Sequence, residues 1–600
     1  MIQSIMALII LALLLPRPVM AVPVITSDII ARRPVVDARA FMPPGGCDGV
    51  SNRLTGLQAA QDYAASLGGG DVLVTGTCRT SGPLYLDSNV QLIAEPWPKT
   101  VIKPLDSATF TASQGVVMSR GFVTDANLWD YYIPYPAGLV MHVGLKNVII
   151  DGNRANVANA NGLMIYGGKW RMENVAVVNT AGHGIWTEAG VPVSSVSGDD
   201  WHDFLNMHES TGDGIFLANN NRHGWYYRGP NDTYIDNVQI KASGWSAFYQ
   251  DSAAGIMSAG LKVGSMHAYV SHQVPETAPS PYMLEFKSSV FFDQLYVDTP
   301  NRSGVRFGSW AQGDRVYVMN RNRAAEGGYG VKADGKISLS QIIVDHSNAI
   351  ASGDGGTDIH IASTATGSMV SQVRMTDVNT SASTMTTTAM LIEARSTHIG
   401  RTHIDGYAST GSVALKIDAS AVGGINASDV TVDGSIRNCA TGFTFMNAAS
   451  NRSRIRLSIA YFTGQTAFTY THGFTMLDNV SVSTYNLSNA AMDKLDSTTL
   501  TSITNSASGT YTPDGAYAHY VYALTGNVTI NAPLGPTHGK RMMFEFQQDG
   551  TGGRTVTLDS AYKTSFTNTG NTAFKRHTAV FVYNSLSGLW IQESATSGWF

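Results

Sequence analysis

The sequence is poor in charge, in cysteine and in long apolar runs, and each shortage excludes something. Asp, Glu, Lys and Arg make up 14% of the 600 residues, against about a quarter in ordinary soluble domains. A net charge of -5 gives no long-range attraction for a polyanion. No basic stripe with interleaved aromatics occurs either, so nucleic acid is excluded as a partner held by counterion release. Three cysteines, with no CxxC or Cys/His ligand spacing, leave no structural zinc site. Beyond the N-terminus no apolar run is long enough to span a bilayer.

What is present is strand-and-turn material: 60 glycines and 43% hydrophobic residues, too apolar for disorder. Residues 5–15, IMALIILALLL, form an apolar core short for a bilayer, and Val19-Met20-Ala21 presents small residues to a signal peptidase. Residues 1–21 are therefore expected to be a cleaved signal peptide, which makes the mature protein secreted with no stable membrane span after processing. The usual basic n-region is missing, so an uncleaved anchor is the alternative. Cys47 and Cys78 flank a short helical pattern and a glycine run, and an oxidising destination favours a bridge between them. Cys439 is left over and reads as a buried small residue.

Cutting the chain at its glycines exposes a repeat. NGLMIYGGKWRMENVAVVNTAG (161–182), HGIWTEAG (183–190) and DGIFLANNNRHGWYYRGPNDTYIDNVQIKASG (213–244) share one formula. A glycine leads a short alternating strand, a polar turn follows, and further short strands complete the unit. SGVRFGSW, YGVKADGKISLSQIIVDHS and VALKIDASAVGGINASDVTVDGS continue it. The period is roughly 22 to 32 residues with apolar side chains at every second position, which predicts roughly fourteen coils of strands over residues 82–487.

The run VVDARAF…CDGVSNRLTGLQAAQDYAASLGGGDVLVTGTCRTSGPLYLDSNVQLIAEPWPKTVIKP resembles the N-terminal signature of the pectate-lyase superfamily. The resemblance covers residues 35–487 and implies an all-β, right-handed, single-stranded parallel β-helix (pectin-lyase-like) with an N-terminal capping helix. It does not fix chemistry. A solenoid end needs a lid, and residues 22–81 read as that cap. Leu57, Ala60, Ala64 and Leu67 share one helical face, Ser51 or Asn52 caps it, Gly68 to Gly70 stop it, and Asp48 is a turn residue. After a linker at 488–509, residues 510–600 alternate as HYVYALTG, RMMFEFQQDG, GRTVTLDS, HTAVFVYN and GLWIQES, which predicts a β-sandwich. That part resembles the small β-domain that closes phage tailspike and fibre proteins, and the resemblance implies sugar binding or a homotrimer.

Equivalent strands of a parallel coil stack about 4.8 Å apart, so outward side chains form ladders. Aligning the glycine-led strands puts Leu163, Ile185, Ile215, Ala247, Leu284, Val305 and Val331 inward. The expected outward ladder is Met164, Trp186, Phe216, Phe248, Glu285, Arg306 and Lys332, with Tyr166, Glu188, Ala218, Gln250, Lys287, Gly308 and Asp334 two residues on. Aromatics followed by charges suit a polysaccharide groove, with Trp186, Glu188, Phe216, Phe248 and Lys332 as contacts. The alternative is a satellite core under a long loop.

Hydrolysis of a glycosidic bond needs two carboxyl groups about 5 to 9.5 Å apart. Glu188 and Glu285, three rungs apart at roughly 14 Å, do not fit, so Asp251 with Glu285 is the leading pair and Asp213 the spare. β-Elimination would instead use Lys287, Arg306 and Lys332 beside a uronate carboxylate; an ion-pair ladder is the structural alternative. Glu173, Asp203, Asp236 and Asp478 recur at similar places in their coils and read as turn chemistry. Asp199 and Asp200 are candidate calcium ligands; no other metal or cofactor is expected. His183-Gly184 resembles the His-Gly element of polygalacturonases, whose other elements are absent in the expected order, so that mechanism is not carried over. The expected function is polysaccharide cleavage, hydrolysis ahead of elimination, with a non-catalytic adhesin or tailspike-type receptor-binding protein as the rival.

Overall fold

The structure is a computed structural model that describes residues 33–95, 100–120, 122, 140–189, 209–251, 259–270, 280–300, 302–319, 328–346, 356–377, 387–408, 411–418, 429–446, 454–460, 466–471, 476–477, 481–482, 501–513, 519–534, 538–566 and 571–596. The expected signal peptide, residues 1–21, lies outside them.

The chain is a right-handed parallel β-helix followed by a β-domain. One wall is a 15-stranded sheet whose strands run in a single parallel file from Leu84–Leu86 to Thr466–Thr471, with Val140–Met141 beside Asn161–Gly168. The other is a 22-stranded sheet that includes Tyr234–Lys241, Val290–Asp298 and Ile337–His346. One inward column of the first wall shows why the coils stack. Leu163, Ile185, Trp225, Phe248, Leu284, Val305 and Val331 pair rung by rung, and all are fully buried. Each such side chain contributes about 1.5 to 3 kcal/mol relative to exposure, and none can be buried by a coil on its own.

The corners obey a backbone rule. Asn147, Asn174 and Asn237 occupy one set of bends and Asn179 and Asn219 another, all with φ between 49° and 59°. Asparagine tolerates that left-handed region better than other side chains. The amides also stack along the axis: Asn174 Nδ2 donates to Asn147 Oδ1 at 3.2 Å and Asn219 Nδ2 to Asn179 Oδ1 at 3.4 Å.

The cap helix is Leu54–Ser66, and it buries Gly56, Leu57, Ala60, Gln61 and Ala64. Leu67, expected on that face, is the C-cap residue and half exposed, because the helix ends one residue before it. Asn52 Oδ1 accepts from the Leu54 amide at 3.1 Å. Asp48 accepts from the amides of Val50 and Ser51 and from Arg53, which holds its carboxyl well below the usual range, with the Ser51 hydroxyl as the largest cause. Cys47 and Cys78 form a disulfide. Cys439 is free and buried, and burial pushes its thiol up to about 12.

In the C-terminal domain the sandwich expected from the alternation is realised as one mixed seven-stranded sheet. Thr501–Tyr511, His519–Ile530 and Arg541–Gln548 pair in parallel, and Arg576–Asn584 and Leu589–Ala595 close the sheet antiparallel. Its core is aromatic, with Tyr520, Tyr522, Phe544, Phe546, Phe581 and Trp590 buried.

Candidate functional site

The outward column of the first wall is in register through Met164, Trp186, Tyr226, Tyr249, Glu285, Arg306, Lys332 and His360. Two of its aromatics differ from the expected ones. Phe216 belongs to the strand Thr211–Ala218, which pairs with Ala176–Val178 and Tyr234–Lys241 in the other wall. Gly214, at φ 66°, is a bend inside that strand and does not start a rung. The rung starts at Gly224. Phe248 points inward: it is fully buried and its ring lies 5.9 Å from Tyr227 and 5.4 Å from Phe286. The alternation predicts Ala247 inward, and a shift of one residue exchanges the faces of a strand. Tyr226 and Tyr249 take the two outward positions.

The second column runs Tyr166, Glu188, Arg228 and then Asp251, whose amide donates to Tyr227 O at 3.0 Å. Ala218, expected there, lies with Phe216 on the other wall, whereas Gln250 is displaced by the one-residue shift and is buried inward. Glu188 is fully buried and Arg228 Nη1 stands 3.3 Å from its Oε2. On its other side the Arg228 Nε is 3.8 Å from Asp251 Oδ2, which also accepts from the Tyr226 hydroxyl at 2.8 Å. Burial, then the Asp251 carboxylate, push the Tyr226 phenol well above its ordinary range.

The charged stretch is equally occupied. Arg306 Nη1 donates to Glu285 Oε1 at 2.8 Å and its Nε to Asp334 Oδ2 at 2.7 Å. Lys332 Nζ lies 3.4 Å from the other Asp334 oxygen. Lys287 contacts the Tyr249 hydroxyl and sits 4.5 Å from the centre of that ring. Glu285 is 1% exposed, and its second oxygen, Oε2, accepts no hydrogen bond among the described residues.

Asp251 and Glu285 are thus one rung and two residues apart, about 8 Å between their Cα atoms from the rung spacing and strand rise. Asp213, the spare, is on the other wall in register with Glu173 and Asp236 and accepts from Asn237 Nδ2 at 2.7 Å. Asp199 and Asp200 lie outside the described residues, and among the described residues no group of three or more His, Cys, Asp or Glu side chains could hold a metal ion.

Beside the column stands an aromatic stack that the sequence reading missed. His183 and His223 lie face to face at 5.3 Å, His223 stacks on Tyr249 at 4.5 Å and His183 on Tyr226 at 5.1 Å. Trp186 is 8% exposed and packs against Tyr226 at 5.1 Å and Phe122 at 5.4 Å, and with Met118 and Met164 it forms a small satellite core. The available signal was the dipeptide His-Gly, which occurs as His183-Gly184 and His223-Gly224. A Cβ on Gly184 would meet Gly224 O at 2.5 Å, so glycine is needed where these rungs begin. Further along, His360 Nε2 is 2.9 Å from Glu393 Oε2 and its ring stacks on Tyr329 at 5.4 Å.

Residues 511–582 match the family described as "Putative phage tail fibre C-terminal domain". No curated protein matches the chain. Among solved structures, bacteriophage phi29 gene product 12 in its pre-mature form is similar at 13% identity and a TM-score of 0.43, over 83% of this chain and 63% of that one. The chain therefore spans less than two thirds of the phi29 protein. The tailspike protein of E. coli bacteriophage HK620 is similar at 12% identity and a TM-score of 0.33, over 89% of this chain and 79% of that one. The A-module of the Azotobacter vinelandii mannuronan C-5 epimerase AlgE6 follows at 15% and 0.29, over 74% and 97%. At these identities none of the three speaks to chemistry.

No helix among the described residues is long and apolar enough to cross a membrane.

Proposed function

We propose that the protein is a phage tail-associated protein that binds a polysaccharide on the outward face between Trp186 and Lys332 and cleaves it by hydrolysis. The observation that carries the reading is Glu285: a carboxylate 1% exposed, tied to Arg306 through one oxygen and without a hydrogen bond on the other among the described residues. A buried polar atom left without a partner calls for an explanation, and a site poised for substrate is one. Asp251 stands one rung and two residues away, about 8 Å between Cα atoms, which leaves its carboxyl within reach of an inverting arrangement, whose carboxyl groups are about 6.5 to 9.5 Å apart. In this reading Asp251 gives the proton to the leaving oxygen and Glu285 activates the water. Tyr226, the half-buried ring of the column, offers the sugar an aromatic contact, while Tyr249 is covered by His223 and Lys287. The tail-fibre match of residues 511–582 supports a homotrimer and a tail location outside the host cell.

Elimination is the weaker reaction, because Lys287 and Arg306 already contact Tyr249, Glu285 and Asp334. A non-cleaving adhesin is favoured by one observation: Glu188 and Glu285 are buried, so a substrate must open the face to reach them. A product assay on neutral and acidic polysaccharides separates the three. New reducing ends without unsaturated-uronate absorbance, lost in Asp251→Asn and Glu285→Gln, support hydrolysis. The same ends accompanied by that absorbance indicate elimination, and binding with no product indicates the adhesin. Sedimentation of the full chain tests the trimer.

A further inference from the structure

The second wall holds a site that the ladder does not use. Its strands Val290–Asp298, Ala311–Met319, Ile337–His346 and Met369–Asp377 line an open cleft of about 420 Å³. We propose that this cleft is a second glycan-binding site, for an uncharged oligosaccharide of hexose or N-acetylhexosamine units.

Its floor is aromatic because one side chain is absent. A Cβ on Gly313 would stand 2.3 Å from the Phe292 ring, so the glycine makes room for that ring, which lines the cleft while lying mostly buried and stacked on Phe307 at 5.6 Å. Phe291 forms a wall, edge-on at 5.1 Å to Trp310. Trp310 is 43% exposed, whereas the large rings of the other face are mostly covered. Flat apolar surface of this kind matches the C–H face of a pyranose.

The rim is polar and available. Asp293, Asp314, Ser340 and Ser371 stand on four neighbouring strands, all exposed, and the pairing of those strands puts them in one row about 4.8 Å apart per rung. None of the four has an ion pair or side-chain hydrogen bond among the described residues, so carboxylates and hydroxyls face solvent ready to bind sugar hydroxyls.

Charge selects the class. Asp213 and Asp236 extend the acidic row, and Tyr234, whose hydroxyl lies 3.4 Å from Asp236 Oδ2, flanks it. Against these stand Lys262, paired with Phe291 in register, and Arg315, which donates to Gln341 Oε1 at 2.9 Å. An acidic row repels a uronate or sulfated chain and leaves an uncharged one unopposed. The other wall, with Lys287, Arg306 and Lys332, lacks that bias.

The test is binding of the full chain to an array of neutral and acidic oligosaccharides, followed by calorimetry with the tightest neutral member. Phe291→Ala and Asp314→Asn are expected to weaken that affinity about tenfold or more, the scale of one lost stacking or charge-assisted contact. Arg39→Ala, exposed in the N-terminal cap, leaves it unchanged. Failure of every neutral glycan to bind, binding confined to acidic glycans, or affinity unchanged in both cleft variants overturns the proposal. It also fails if wild-type chains self-associate through this wall, seen as dissociation by sedimentation on Phe291→Ala.

Discussion

Arg228 faces two carboxylates from within a nearly dry site, its side chain 4% exposed and that of Glu188 fully buried. Removing one partner of a buried pair leaves the other charged in low dielectric, at a cost of about 3 to 5 kcal/mol. Arg228→Ala is therefore expected to lower the unfolding free energy by about that amount. Arg541→Ala, which breaks the exposed pair with Glu593 (side chains 66% and 45% exposed), is expected to lose about 1 kcal/mol at most. Equal losses in chemical denaturation would show that burial does not govern these pairs. His183 makes a separate claim. Burial, with Arg222 adding to it, lowers its imidazole from 6.5 to about 3. Between those values the unfolded chain binds a proton that the folded chain does not, so stability falls as pH drops from about 6.5 towards 3. Thermal unfolding across that range should show a shallower slope in His183→Phe, which keeps the ring stack and removes the titration; an identical slope would rule His183 out as a source.

At the scale of the element, the corners are the informative parts. Asn179, Asn219, Ala242, Val270 and Thr299 follow the ends of successive strands, and all have φ between 50° and 57°. Val270 is β-branched in a left-handed backbone, a placement that costs about 1 to 2 kcal/mol. Because Val270 is 44% exposed, Val270→Asn loses little packing and should raise unfolding free energy by about 1 kcal/mol; no gain in denaturant midpoint would mean the strain is relieved elsewhere. The same corners explain what was legible. Coil, cap and disulfide follow from glycine spacing, the apolar alternation and Cys47 with Cys78, which are local signals. The register of the site was not local. Gly214 and Gly224 both precede an aromatic strand, and alternation alone does not say which bends the chain within a strand and which starts a rung. That ambiguity removed Tyr226 and Arg228 from the ladder. A one-residue slip at Ala247 then exchanged Tyr249 for Phe248, since a strand's two faces read alike when both carry aromatics. Glu285, Arg306 and Lys332 kept their places because Leu284, Val305 and Val331 alternate with charge.

In the whole molecule each coil touches only its neighbours, so stability is close to a sum of rung and interface contributions, and opening spreads from the ends. The N-terminal end is closed by the helix Leu54–Ser66 and by the bridge between the adjacent strands Cys47–Asn52 and Gly76–Thr80. Closing a loop over a sequence separation of 31 contributes about 3 to 4 kcal/mol in the chain-entropy account. Cys47→Ser with Cys78→Ser is therefore expected to loosen the lid without unfolding the solenoid. Hydrogen exchange should then accelerate at Leu84–Leu86 and Gly115–Ser119, the rungs beneath the lid, and stay unchanged at Tyr282–Phe286 and Ser303–Phe307, in the middle of the file. Both proposed glycan faces reach into that middle stretch, so ligand binding there should survive the loss of the bridge. Equal acceleration in end and centre would mean that the solenoid opens as a single cooperative unit, and the lid would then act on the proposed binding faces from a distance of many rungs.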